Sequence, residues 1–88
     1  TTVEAYDPAT DRWQQLPPLP TGRSGHGVAV VGRCLYAFGG EGNGQDPTGV
    51  FAEVEGFDAA RATWTSLTPM PTPRHGMGAA AVGKRIFL

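Results

Sequence analysis

Slid along itself by 51 positions, the sequence lays residues 1–37 on residues 52–88 without a gap, and fifteen of those thirty-seven pairs are identical. This internal repeat limits the fold more than any other feature, because each copy must build the same local structure and the copies must stack. The identical pairs include Val3/Val54, Glu4/Glu55, Asp7/Asp58, Trp13/Trp64, Leu16/Leu67, Pro18/Pro69, Pro20/Pro71, Arg23/Arg74, Gly25/Gly76, Gly27/Gly78 and Gly32/Gly83. Conservative pairs fill many of the gaps: Tyr6/Phe57, Leu19/Met70, Leu35/Ile86 and Tyr36/Phe87. A period of about 50 residues holds four short strands and their turns, one blade of a β-propeller. The 13 glycines and 8 prolines fit many short strands joined by tight turns, and no segment sustains helical spacing.

The strands can be placed directly. GVAVV at 27–31 runs into Gly32-Arg33, with Gly first, which predicts a type II′ hairpin turn into CLYAF at 34–38. Gly39-Gly40 closes that strand. EVEGF at 53–57 matches VEAY at 3–6, and TWTSL at 63–67 matches RWQQL at 12–16. Asp7 and Asp58 start polar turns, which Asp favours by bonding its own backbone. Gly27, Val28 and Ala29, with Gly78, Ala79 and Ala80, are small enough for a strand crowded at a propeller axis. Tyr6, Trp13, Phe57 and Trp64 suit outer strands, where large side chains fill the wedge between blades. Pro17, Pro18, Pro20, Pro69, Pro71 and Pro73 follow the fourth strand, where no ladder donor is needed.

The formal net charge is −1, so bulk charge points to neither a nucleic acid nor a membrane surface as partner. Cys34 is the single cysteine, which excludes an intrachain disulfide framework. His26 and His75 stand at non-equivalent positions of the repeat, and neither has a second ligand at metal spacing, so no metal and no cofactor are expected. Asp46 has only Glu41 as an acidic neighbour in its loop, which does not support paired-carboxylate catalysis. No apolar run approaches the ~18 residues of a membrane span. The chain opens TTVEAYDP, without the charged start and apolar core of a secretion signal, and it ends on RIFL inside an apolar pattern. We therefore expect a piece of something longer.

The segments LYAFGG, VEAYDPATDRW and PMPTPRHGMGAAAVGKRIF resemble the kelch repeat. They carry a Gly doublet after the second strand, an aromatic (Tyr36) before it, a Tyr-Asp-Pro after the third strand and a Trp further on. Asp58-Ala59 departs from the family's usual Asp-Pro. The resemblance implies an all-β propeller of four-stranded antiparallel blades, usually about six or seven of them. With strands labelled A to D from the axis outward, residues 1–22 hold C and D of one blade. Residues 23–73 hold a complete blade, and residues 74–88 hold A and B of the next. The missing neighbours would come from the rest of a longer chain or from other copies of this one, and the half-blades are complementary.

The B–C loop, EGNGQDPTGV at 41–50, is polar and longer than a hairpin needs. It shares one face with the D–A crossings, and loops on a rigid scaffold are where binding sits. Glu41, Asn43, Gln45 and Asp46 are its contact candidates. In kelch substrate adaptors of ubiquitin ligases, an Arg in R-x-G-x-G grips acidic ligands at the channel mouth. By that resemblance Arg23 and Arg74 are contacts, with Ser24 and His75 beside them, and the planar guanidinium suits a carboxylate. The alternative is that each Arg pins its own D–A loop through backbone carbonyls. Gly39, Gly40, Tyr36 and the four outer aromatics read as structural.

The function expected is a non-catalytic module binding a protein or a small anionic ligand. The alternatives are a structural blade array, or part of a kelch-propeller enzyme such as a galactose-oxidase-like carbohydrate oxidase or a sialic-acid mutarotase. Cys34 and Tyr36 share a strand face, but no copper motif accompanies them. The Ala/Gly-rich wording resembles bacterial kelch proteins, many of them exported, which implies a place outside the cytoplasm.

Overall fold

The repeat reappears as three antiparallel sheets in the computed structural model, which describes residues 1–88. The strands are β1 (Val3–Asp7), β2 (Arg12–Leu16), β3 (Gly27–Val31), β4 (Cys34–Phe38), β5 (Val54–Asp58), β6 (Thr63–Leu67), β7 (Ala80–Val82) and β8 (Arg85–Phe87). They pair as β1-β2, as β3-β4-β5-β6, and as β7-β8. The fold is all-β, a half blade, a full blade and a half blade. The strand expected at 53–57 starts at Val54, and β7 starts at Ala80, two residues inside the run of small residues.

Local geometry is copied from one repeat to the next. Tyr6 faces Trp13 and Phe57 faces Trp64 across the β1-β2 and β5-β6 ladders. Both pairs meet at 45°, with centroids 5.1 and 5.0 Å apart. The Asp7 carboxylate accepts from Ala9 N–H at 2.9 Å, and that of Asp58 from Ala60 N–H at 2.9 Å. Each of these turns then needs a left-handed residue, supplied by Asp11 (φ 55°) and Ala62 (φ 54°). Gly32 has φ 59° while Arg33 stays at negative φ, as a type II′ turn requires. After each fourth strand the chain crosses to the next blade. There Leu19 N–H donates to Thr1 O at 2.8 Å, and Met70 N–H to Ala52 O at 2.9 Å. Both crossings bury their apolar side chain.

The core lies in the middle sheet and its crossings: Leu19, Ala29, Ala37, Phe51, Val54, Phe57 and Met70. At the axis β3 packs against β7 and β8. Small residues are required there, since a Cβ on Gly27 would stand 3.3 Å from Ala79 Cβ. A charged residue is buried among these apolar groups. Glu55, on β5, is 2% exposed.

Candidate functional site

B–C and D–A connections leave the same end of antiparallel blades, so the loops at 39–53 and 17–26 meet on one face. Their meeting point is the Gly39-Gly40 doublet. Gly40 N–H donates to the Arg74 carbonyl at 3.0 Å, and the Gly40 carbonyl accepts from Phe51 N–H at 2.8 Å. Both glycines have positive φ, and a Cβ on Gly40 would lie 2.6 Å from the Ser24 carbonyl oxygen. No residue with a side chain fits where the two loops pass this closely.

Arg23 reaches under this node, and its side chain is 0% exposed. Its Nη1 donates to the carbonyls of Gly39 (2.8 Å) and Glu53 (2.9 Å), and its Nε to Thr21 O (3.3 Å). Its Nη2 forms an ion pair with Glu55 Oε1. Thr21 Oγ1 donates to the other Glu55 oxygen at 3.0 Å, and the Phe51 ring lies 5.7 Å from the guanidinium carbon. All four of these side-chain bonds of Arg23 stay within its blade and the crossing that enters it, which is the geometry of a loop pin. Arg74 is exposed and makes no side-chain hydrogen bond or ion pair. Apart from Thr21, the residues that hold Arg23 lie 16 to 32 positions after it, and the same positions after Arg74 fall beyond Leu88.

Above the pin, Ser24 and Glu41 exchange backbone hydrogen bonds at 3.1 and 2.8 Å, and Glu41 also bridges to Val50. Gly76 N–H donates to Gly25 O at 2.8 Å, tying the two D–A loops together. His75 Nδ1 stands 3.6 Å from Glu41 Oε2, with both side chains about half exposed. The structure thus groups Ser24, Glu41 and His75 on one rim. No hydrogen bond joins Ser24 Oγ to His75, so the trio lacks the base–nucleophile link that acyl transfer needs.

Two of the other loop residues build the loop itself. Asn43 Oδ1 accepts from Gln45 N–H at 3.0 Å, and Asp46 Oδ1 accepts from Thr48 N–H at 2.7 Å. The Thr48 hydroxyl bond, then its N–H bond, holds the Asp46 carboxyl below the usual carboxylate range. Gln45 is exposed and leaves its amide free. No group of three or more His, Cys, Asp or Glu side chains converges anywhere in the chain.

Sequence reasoning gave no role in the site to Glu55, Thr21 or His26. The first two carried a signal: Thr21/Thr72 and Glu4/Glu55 repeat as faithfully as Arg23/Arg74. A charge that repeats at an inward strand position calls for a partner that repeats too. His26 does not repeat. Its Nδ1 is enclosed without a hydrogen-bond partner, and burial, followed by the Arg23 charge, holds the imidazole below its usual range. Among the aromatics, Trp64 Nε1 donates to Pro17 O at 3.0 Å, tying the outer strand to the previous crossing.

Comparison with known proteins points the same way. The family model described as the kelch motif matches residues 1–20 and 22–71. The chain is 36% identical to Kelch-like protein terF of Aspergillus terreus over 88 residues, covering 99% of this chain and 19% of that protein. It is 35% identical to the Rab9 effector protein with kelch motifs of Gallus gallus, covering 98% and 25%. It is 34% identical to alpha-scruin of Limulus polyphemus, covering 99% and 9%. The chain thus spans a quarter or less of these relatives. The solved structure of YjhT superposes on 90% of this chain and 23% of its own, with a TM-score of 0.72 at 24% identity, a likeness of fold alone.

Proposed function

Because this chain belongs to the kelch-repeat family and folds as a segment of that family's β-propeller, we propose that it serves as an interaction scaffold that recognises a protein through its D–A and B–C loops. The observation that carries this reading is the rim. Ser24, Glu41 and His75 are exposed side chains on backbone that is hydrogen-bonded between loops and across blades. Such a surface loses little entropy on binding. The contact set is Ser24, Glu41, Gln45 and His75. It offers one carboxylate, one imidazole and neutral polar groups, which suits a polar protein surface carrying both a donor for Glu41 and an acceptor for His75. Asn43 and Asp46 keep the loop in shape, and Arg23 holds the rim from beneath. One relative is named as an effector of Rab9, so a protein partner has precedent among similar chains.

The test compares the two ends of the strands. Glu41→Lys with His75→Glu is expected to abolish capture of the protein partner and leave the thermal melt unchanged. Thr10→Lys, in the β1-β2 turn at the opposite end, is expected to leave capture intact. The reverse pattern overturns the reading.

A further inference from the structure

The B–C loop holds the only asparagine of the chain, Asn43, and the residue after it is Gly44. The pair opens a turn closed by Asp46 N–H, which donates to the Asn43 carbonyl at 3.3 Å. Gly44 is exposed, and its own N–H donates to nothing. A Cβ built on Gly44 would meet no atom within 4 Å, so solvent reaches this stretch of backbone freely. The Asn43 side chain folds over the same turn, since its Oδ1 accepts from Gln45 N–H at 3.0 Å. That bond closes a ring of side-chain and backbone atoms that contains the Gly44 nitrogen, and it holds the carboxamide carbon over the turn. We infer that Asn43 is a modification site: it deamidates spontaneously through a cyclic imide, and the carboxylate that results opens the B–C loop. This deepens the loop-face reading above and rests on it only for the effect on a partner.

The chemistry needs no reagent but water. Solvent hydroxide removes the Gly44 amide proton, and the nitrogen attacks Asn43 Cγ. Gln45 N–H, already on Oδ1, stabilises the negative charge that develops there. The Cγ–Nδ2 bond then breaks, the nitrogen takes a proton from solvent and leaves as ammonia, and a cyclic imide remains. Water opens the imide in either of two ways. Breaking the bond from the Gly44 nitrogen to Cγ gives aspartate at position 43. Breaking its bond to the main-chain carbonyl carbon gives isoaspartate, whose backbone runs through Cβ. The net change is one carboxamide and one water to one carboxylate and one ammonium ion. The attack is favoured because the reacting atoms belong to adjacent residues held in one turn. Glycine matters at 44 because a side chain there would crowd the nitrogen.

The carboxamide is also a clamp. Asn43 Nδ2 donates to Val50 O at 3.4 Å, and the Gly42 and Asn43 N–H groups both donate to Gly49 O, at 2.9 and 3.0 Å. These bonds close the loop below its tip and keep Val50 bridged to Glu41 of the rim. A carboxylate at 43 has no donor for Val50 O and faces it with negative charge. It also shares a turn with the Asp46 carboxyl, which the Thr48 bonds keep ionised. The isoaspartyl form adds a carbon to the main chain, so residues 42–43 and 49–50 fall out of register. Glu41 then keeps its bonds to Ser24 and loses its support from Val50.

Peptide mapping by mass spectrometry reads the site, with the folded chain held at about 37 °C and about pH 7.4 for about four weeks. The expected result is a gain of about 1 Da confined to the peptide that carries Asn43, with an isoaspartyl product that a protein isoaspartyl methyltransferase labels. No Asp of the chain precedes a Gly, so Asn43 is the residue placed to give that label. A free peptide of residues 41–50 is the reference. The folded chain is expected to convert at least as fast, and conversion more than about tenfold slower overturns the inference, because the fold would then protect Asn43. Gly44→Ala is expected to slow conversion at least about fivefold, and an unchanged rate overturns the imide route. Asn43→Asp stands for the aged chain. Its Gly42 and Gly49 amides are expected to exchange hydrogen at least about tenfold faster, and unchanged exchange overturns the opening of the loop. Partner capture is expected to fall in the same variant. Faster exchange with undiminished capture sinks the loop-face reading and leaves the modification site standing.

Discussion

Arg23 and Arg74 occupy the same position of the same repeat, yet one is enclosed by five hydrogen-bonding contacts or ring contacts of its own blade and the other stands in solvent. The outer aromatics divide the same way. Phe57 is 4% exposed, whereas Tyr6 is 45% exposed and Trp13 is 69% exposed, although both pairs meet at the same angle. Strand pairing and turn shape belong to the individual repeat. Burial, and with it most of the stabilisation, belongs to the neighbours that flank it.

Truncating both arginines breaks that comparison most sharply. Arg23→Ala leaves the Glu55 carboxylate buried without its cation and is expected to cost about 3–5 kcal/mol in urea unfolding. Arg74→Ala is expected to cost less than about 0.5 kcal/mol. Equal losses would show that the two arginines share one role. The tryptophans come next. Trp64→Ala loses the Phe57 contact and the bond to Pro17, and is expected to cost about 2 kcal/mol, against less than about 1 kcal/mol for Trp13→Ala.

A smaller effect of opposite sign is expected at the left-handed turn positions. Ala62→Gly relieves a positive φ and is expected to stabilise by about 0.5–1 kcal/mol. Asp11→Gly relieves the same strain but removes the acceptor that Tyr6 O–H donates to at 2.6 Å, so little or no gain is expected there. Thermal melts of the two variants side by side separate backbone strain from side-chain bonding.

The smallest effect is a pH slope. His26 has its folded pKa held down, so the fold favours the neutral imidazole. Its contribution is present above the unfolded value of about 6.5 and is lost as pH falls towards the folded value. Melting temperature is therefore expected to drop on going from about pH 7.5 to pH 5. His26→Met, which copies Met77 of the second repeat, is expected to flatten that slope.

Much of this was legible beforehand. The II′ turn at Gly32, the Asp-led turns, the Trp-bearing outer strands and the small residues at the axis all follow from rules acting over a few residues. The rim was half legible: Ser24, Glu41 and His75 meet as the shared loop face implies, whereas Asn43 and Asp46 turn inward to shape their own loop. Glu55 was hidden in plain view as a repeated acid, because spacing alone does not say whether a strand position faces solvent or the loop beneath the rim.

The sequence by itself settled the period, the strands and the phase of the repeat, since each depends on side-chain size, backbone freedom and local bonding within one copy. Only the tertiary structure showed that Arg23 is buried. Apart from Thr21, the groups that enclose Arg23 come from positions 16 to 32 residues further on, brought together when four strands pair. The electrostatics of the site depend on how much water that pairing removes.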